Sequence, residues 1–305
     1  MSTKERYLNP FTDFGFKKLF GTEVNKDLLI HFLNAVLPDN VEISELTYLK
    51  TEHLGHSALD RKVVYDLYCE SPDGEKFIVE LQKARQKFFK ERTIFYSTFP
   101  IQEQAQQGDW DFELKAVYSV SILNFLIDDN SYATKQQKRI EKAPVKSVAK
   151  LIDVETKEVF YDKLTYVQIY IPLFDKAEEE LETIEDKWFY VIQNLQRFQN
   201  RPVALQERIF DKVFATAEIA MFDKQERMAY EDSLKYYRDI KNVIDTAEEK
   251  GIAKGRKEGK EEGKKEKEIE IIKNGLSEGL DLTVLSKITN LSLEEVKEIV
   301  NSLEK

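Results

Sequence analysis

The chain has 305 residues, 42% of them hydrophobic and 33% charged, with a formal net charge of −10. That length suits one large domain or a domain with an appendage, and the apolar content suits a real core. No apolar run approaches a bilayer span, the opening "MSTKERYLNPF" lacks a signal-peptide core, and the lone Cys69 leaves no internal disulfide and no zinc-type Cys/His spacing, so a soluble cytoplasmic protein with no membrane partner is expected.

The charge is unevenly spread. Residues 1–150 hold 21 Lys and Arg against 22 Asp and Glu, a net of −1, whereas the remaining 155 residues hold 25 against 34, a net of −9. The acidity argues weakly against nucleic acid, but it lies in the second half, and the first half can still present a basic surface.

In chain order, residues 13–37 carry apolar side chains at three- and four-residue spacing and predict one helix, stopped by Pro38 and Asn40. Residues 41–54 alternate apolar and polar and predict a strand, followed by strands at 63–70 and 76–82. Residues 86–107 predict a helix that Pro100 should kink or end. The run 112–125, "FELKAVYSVSILNF", is the most strand-like in the sequence, and 150–174 predicts further strands closed by Pro172. From 175 to 245 the pattern is helical. Residues 246–275 are charged, with Gly251, Gly255, Gly259 and Gly263 four apart, and the last thirty residues predict two short helices, the second with Ser292 and Glu295 as a capping box.

The stretch "DLYCESPDGEKFIVELQK", residues 66–83, carries the chemistry. Ser71-Pro72-Asp73-Gly74 suits a type I turn followed by a left-handed glycine, the usual three-residue hairpin loop. That loop places Ser71 opposite Glu75, and the same register places Asp66 opposite Glu80 and Val64 opposite Gln82. One hairpin face is then Val64, Asp66, Tyr68, Ile78, Glu80 and Gln82, and the other is Tyr65, Leu67, Cys69, Phe77, Val79 and Leu81. Both faces carry large apolar residues, as expected of strands covered on both sides. Opposed carboxylates there destabilise each other and are costly to remove from water. Three remedies exist: a shared proton, a basic partner or a metal ion. A divalent cation between two carboxylates and a strand carbonyl is a common way to hold magnesium. A solvated sheet face, or a register slipped by one, is the competing reading; the two-sided apolar pattern and the Glu-x-Gln spacing favour the cation.

An Asp, a hairpin and then Glu-x-Gln at the end of an apolar strand resemble the PD-(D/E)XK nuclease core. The chain more closely resembles the Rpn recombination-promoting nucleases, also called PD-(D/E)XK nuclease family transposases. The resemblance lies in "NPFTDFGFKKLFG", "YDLYCESPDGEKFIVELQ", "FYSTFPIQEQAQQGDWDFELKAVYSVSILNF", "DKLTYVQIYIPLF" and the glycine-spaced tail. It implies an α/β, restriction-endonuclease-like core, a mixed central sheet flanked by helices, with a C-terminal helical extension. It implies Asp66 and Glu80 as metal ligands for magnesium, with manganese as the alternative, and Gln82 as the residue that orients water, where the motif that names the superfamily has Lys but this branch as a whole uses Gln. An amide orients water but supplies no positive charge, and Lys83 points to the opposite face. The residue before Asp66 is Tyr65, so the "PD" itself is absent. Asp13, at the first helix, is a candidate third ligand or a helix cap.

Lys17, Lys18, Lys83, Lys87 and Lys90 are candidate DNA contacts, the last three at i, i+4, i+7 on a basic helix with Arg85 and Arg92 nearby; a solvated face is the alternative. His31, His53 and His56 have no ligand spacing and read as structural or surface residues. In the tail, four glycines each cost ~1 kcal/mol against alanine in a helix, so a flexible linker is the default and a helix with a glycine stripe the alternative. Glu294, Glu295 and Glu298 make the final helix unsuited to phosphate and point instead to a partner or self-association module. The expected layout is a nuclease-like domain over 1–175, a helical region over 176–245, a linker or helix over 246–275 and a helical pair over 276–305. The expected function is metal-dependent hydrolysis of DNA phosphodiesters. Its rival is a catalytically silent DNA-binding or regulatory module on the same fold.

Overall fold

A computed structural model of the chain describes residues 5–53, 63–105, 111–126 and 144–303. His56 and the far end of the expected 86–107 helix lie outside the described residues. The chain falls into two units, residues 1–240 and residues 241–305.

The first unit is built on a mixed six-stranded sheet. In chain order its strands are β1 (Thr47–Tyr48), β4 (Leu67–Glu70), β5 (Lys76–Gln82), β6 (Val117–Leu123), β7 (Lys146–Ile152) and β8 (Val159–Tyr170), while β2 (Glu52–His53) and β3 (Val63–Val64) pair separately. The spatial order is β1-β4-β5-β6-β8-β7, with β5, β6 and β8 parallel and the other pairs antiparallel. The parallel step from β5 to β6 is bridged by α3 (Phe89–Gln102), as a parallel connection requires a crossover. The mixed sheet with flanking helices is the expected fold class.

The predicted helix 13–37 is two helices, α1 (Asp13–Phe20) and α2 (Lys26–Val36), separated at Gly21 by a short 3-10 turn over Glu23–Asn25. Leu37 is already extended, as the residue before Pro38 must be. The expected 41–54 strand reduces to β1 and β2, and the 63–70 strand breaks between β3 and β4.

Alternation sorts the central strands. Phe77, Val79 and Leu81 of β5, Tyr118, Val120 and Ile122 of β6, and Val167 and Ile169 of β8 all enter one large core. Its other wall is α1, α2, α4 (Ile184–Asn194), α5 (Arg208–Ala217) and the start of α6 (Lys224–Ser277). Phe20, Phe32, Trp188 and Phe210 form its aromatic centre, with ring centroids 5.2–5.7 Å apart. Full burial of each such ring stabilises by roughly 1.5–3 kcal/mol. The helices expected over 176–245 therefore share the core of the sheet, where their apolar stripes are buried. On the opposite face, Val63, Tyr65, Tyr68 and Ile78 pack with Leu49, Tyr96 and Phe99.

Pro100 lies in the last turn of α3 without ending it. A proline there has no N–H to give the carbonyl four residues back, that of Tyr96. The Tyr65 hydroxyl donates to that carbonyl instead, at 2.9 Å.

In the second unit, the glycine-spaced segment is helical throughout, inside the 54-residue α6. Nothing lies within 4 Å of a Cβ placed on Gly251, Gly255, Gly259 or Gly263. Ile272, Leu285 and Val296 form a small core between the end of α6, α7 (Leu282–Thr289) and α8 (Leu293–Leu303). The Ser292/Glu295 capping box is formed: the Ser292 N–H donates to Glu295 at 2.8 Å and the Glu295 N–H to Ser292 Oγ at 3.2 Å.

Candidate active site

The hairpin register is the one the turn dictates. The Gly74 N–H donates to the Ser71 carbonyl at 3.0 Å, Gly74 takes φ +84°, and the Ser71 N–H donates to the Glu75 carbonyl at 3.0 Å. Glu70 then pairs Lys76, Cys69 pairs Phe77, Tyr68 pairs Ile78 and Leu67 pairs Val79.

One step further the ladder opens. Tyr65 departs from the predicted alternation: it packs beside Tyr68 and Ile78 rather than with Leu67, and its N–H donates to the Thr51 carbonyl at 2.9 Å. Val64, expected on the apolar Asp66 face, is half exposed. The edge of β5 beyond Val79 is thus left without a ladder partner on that side, and the side chain of Asp66 takes that place. Asp66 Oδ2 accepts from the Leu81 N–H at 2.7 Å, and the Asp66 N–H donates to Glu80 Oε1 at 3.2 Å. Asp66 and Glu80 are brought together, through side-chain-to-backbone bonds across an opened strand end.

Glu80 and Gln82 are buried on the α3 side of β5. Gln82 Nε2 donates to Glu80 Oε2 at 3.0 Å, and Arg92 Nη2 reaches the same oxygen at 3.2 Å. Arg92 Nη1 also donates to Gln82 Oε1, at 3.5 Å, and to Gln86, and the guanidinium stacks over Tyr96 at 4.7 Å. Ile78, Glu80, Gln82, Phe89, Arg92 and Tyr96 line a cleft, closed below by Ser119 and Ser121 of β6. These serines project there because they alternate with the core residues Tyr118, Val120 and Ile122, and Ser121 pairs directly with Glu80.

Burial and the charge of Asp66 push the Glu80 carboxyl up to about 8, against the pull of Arg92 and two hydrogen bonds. Burial likewise raises Asp66; the Leu81 N–H opposes that, the charge of Asp13 adds to it, and Lys17 and Lys83 counter it. Arg92 is thus a basic partner for Glu80, and burial beside Asp66 favours the protonated form of that carboxyl.

The N-terminal run "NPFTDFGF" positions the start of α1. Thr12, not Asp13, is the cap: its Oγ1 accepts from the Gly15 N–H at 2.9 Å and donates to the Asn9 carbonyl at 2.8 Å. A Cβ on residue 15 would stand 2.3 Å from the Asn9 oxygen, so glycine is required there. Asp13 pairs with Lys17 at 3.1 Å on the exposed side of the helix. Its charge is felt by Asp66, but among the described residues no three His, Cys, Asp or Glu gather into a metal-holding group.

The expected basic helix is corrected. Phe88 adopts a left-handed backbone, φ 61°, and α3 begins only at Phe89, so Lys83 and Lys87 precede the helix and Lys90 alone of the three lies on it. Lys83 is half-buried over the Tyr236 ring, 5.9 Å away, on the side of Asp66 and Asp13 and away from Gln82. Lys87 lies over the neighbouring Phe88 ring at 5.1 Å. Lys18 is engaged by Glu226 and the Phe222 ring, a poor position from which to meet DNA. His31 accepts from Trp188 Nε1 at 2.9 Å, a structural role. Sequence reasoning missed Arg92 as a partner of Glu80 and Gln82, and it missed Ser119 and Ser121. The polar alternation of "VYSVSIL" was a readable signal for the serines.

The donor set fits a hard cation. Asp66 and Glu80 offer carboxylate oxygens at an opened strand end, which suits a cation such as magnesium or manganese with retained waters. No helix among the described residues is long and apolar enough to cross a membrane. Neither a curated protein nor a solved structure matches the chain. A family model does, that of the PD-(D/E)XK nuclease family transposases, over residues 10–247. With the site hairpin, α3 and the sheet all inside that match, the chain belongs to the PD-(D/E)XK nuclease family transposases.

Proposed function

We propose that the protein is a divalent-cation-dependent deoxyribonuclease that cuts DNA phosphodiesters internally and serves the movement or recombination of DNA. The observation that carries this reading is the pairing of Asp66 with Glu80 at the opened end of β5, with Gln82 two residues on. Asp66 and Glu80 would hold magnesium or manganese, and Asp13 would add to the negative rim that attracts it. A cation held there supplies Lewis-acid stabilisation of phosphate charge and makes water a better nucleophile. Gln82 would use its amide oxygen to orient the attacking water. Ser119 and Ser121 offer hydroxyl donors to phosphate oxygens from the cleft floor. Lys17, Lys87 and Lys90, outside the cleft, would contact the flanking backbone without reading sequence. The layout that goes with this reading is a nuclease core with its packed helices, followed by a tail that acts on self-association and not on DNA.

Plasmid cleavage with magnesium, with chelator, and by Asp66→Ala tests it. Magnesium-dependent nicking by the wild type, absent in the variant, supports the reading; equal cleavage by both would falsify it. One observation favours the silent module: Arg92 already engages Glu80 and Gln82. Tight plasmid binding with no cleavage under any divalent cation would decide for that alternative.

A further inference from the structure

The motif that names the superfamily places a lysine two residues after its acid, and Gln82 carries no positive charge there. Lys83 stays on the Asp66 side over Tyr236, Lys17 pairs with Asp13, and Lys18 pairs with Glu226. Among the described residues, Arg92 is the cation bonded to both Glu80 and Gln82. It comes from a different element, the first turn of α3, aimed back over the end of β5 by the left-handed Phe88. A bulky residue with φ near +60° is a strained choice, kept where the surroundings demand it. Tyr96, one turn on, supports one face of the guanidinium. The Arg92 side chain is 31% exposed where that of Glu80 is 8% exposed, so Arg92 sits at the mouth of the cleft and Glu80 at its floor. A planar guanidinium braced on an aromatic ring is well suited to two phosphate oxygens.

We propose that Arg92 is a catalytic residue: its guanidinium, which bonds Glu80 and Gln82, would turn to the phosphate under attack when Glu80 serves as a metal ligand, and would carry the charge that Gln82 lacks. The proposal rests on the nuclease reading above and adds to it the source of the missing charge. Arg92 then has two successive anionic partners, a carboxylate before loading and a phosphate after. Metal binding and DNA binding would then be cooperative, because Glu80 cannot serve a metal and Arg92 at once.

The test uses the full chain in three measurements: manganese titration by calorimetry, binding of a fluorescent DNA duplex with and without calcium, and plasmid cleavage with magnesium. Arg92→Gln should bind manganese at least as tightly as the wild type, whereas Asp66→Asn should lose it. The variant should lose most of the calcium-dependent gain in DNA affinity and cleave roughly 10²–10³-fold more slowly, the loss typical of removing one transition-state donor. Arg92→Lys should recover part of the rate, and free guanidinium ion should restore part of it to Arg92→Ala. Weaker manganese binding in Arg92→Gln, a large fall in its melting temperature, or a rate within threefold of wild type overturns the proposal. Should the wild type cleave nothing with any cation, the nuclease reading fails separately, and Arg92 is judged on duplex binding alone: a calcium-dependent gain lost in Arg92→Gln supports its phosphate contact, and a gain equal in both or absent from both overturns it.

Discussion

The two faces of β5 follow opposite rules within one seven-residue strand. Phe77, Val79 and Leu81 enter the large core, where Phe77 stacks on Tyr118 with centroids 5.1 Å apart and planes 11° from parallel. Glu80 and Gln82, equally buried, face a cleft of serines and a guanidinium and set an acid against a second acid. The first face stabilises the fold and the second draws on that stability. The difference teaches that the site is tolerable only because its strand is anchored from behind. A strand this central, paired on both sides up to Val79, absorbs a local cost that an edge strand could not.

Changes on the two faces should therefore diverge. The largest effect on stability belongs to the core face: Phe77→Ala should cost about 3–5 kcal/mol in urea unfolding, with activity lost only as the fold is lost. Preserved stability would mean that the sheet can close over the void.

Next comes pH. The folded Glu80 carboxyl is raised to about 8 from an unfolded value of 4.5, so between those values the folded chain holds a proton that the unfolded chain has released. Raising the pH then favours unfolding. Cation-free stability should fall from about pH 5 to about pH 8, by an amount on the order of a few kcal/mol, and level off above. Thermal melts in chelator across that range measure it, and a rising profile would contradict the assignment.

Glu80→Gln should flatten that slope, matching the wild type near pH 5 and equalling or exceeding its stability near pH 8, while abolishing cleavage. A melting temperature well below wild type at pH 8 would show that the Arg92 pair outweighs burial and acid repulsion, and would make Glu80 a structural residue. The smallest effect is expected far from both faces. Truncation after about residue 245 removes the small Ile272, Leu285 and Val296 core and should leave cleavage and the core melting temperature nearly unchanged while altering self-association. Light scattering and plasmid cleavage on the same truncated chain check it; loss of DNA affinity from a folded fragment would assign the tail to DNA instead.

What could be read in advance was what local chemistry determines. Pro72, Asp73 and Gly74 fix the loop, and the loop fixes the register as far as Leu67 opposite Val79; beyond it Val64 pairs with Glu52 and not Gln82, and Asp66 meets Glu80 through side-chain-to-backbone bonds. The alternation in β5 separated Phe77, Val79 and Leu81 from Ile78, Glu80 and Gln82 for the same reason. What escaped was decided by partners distant in sequence. Tyr65 leaves the predicted face because Thr51 takes its N–H and the Tyr96 carbonyl takes its hydroxyl. The helix after Gln82 starts late because Phe88 turns left-handed, which no propensity signals and which removed two of three lysines from the supposed stripe. Gln82 was recognised as uncharged, but the nearest charge lay ten positions on, on an element whose direction the sequence does not state.

Pro100 acts as an index mark on α3. The carbonyl it leaves open is that of Tyr96, and the hydroxyl that fills it belongs to the neighbour of Asp66. The ring of that same Tyr96 carries the Arg92 guanidinium. The hairpin can therefore dock on α3 at one setting, since a helix shifted by a residue would present a carbonyl already engaged by its own N–H. Tyr96 gives its backbone to the acid side of the site and its ring to the basic side. The separation of the two charges is thus gauged by a proline that touches neither.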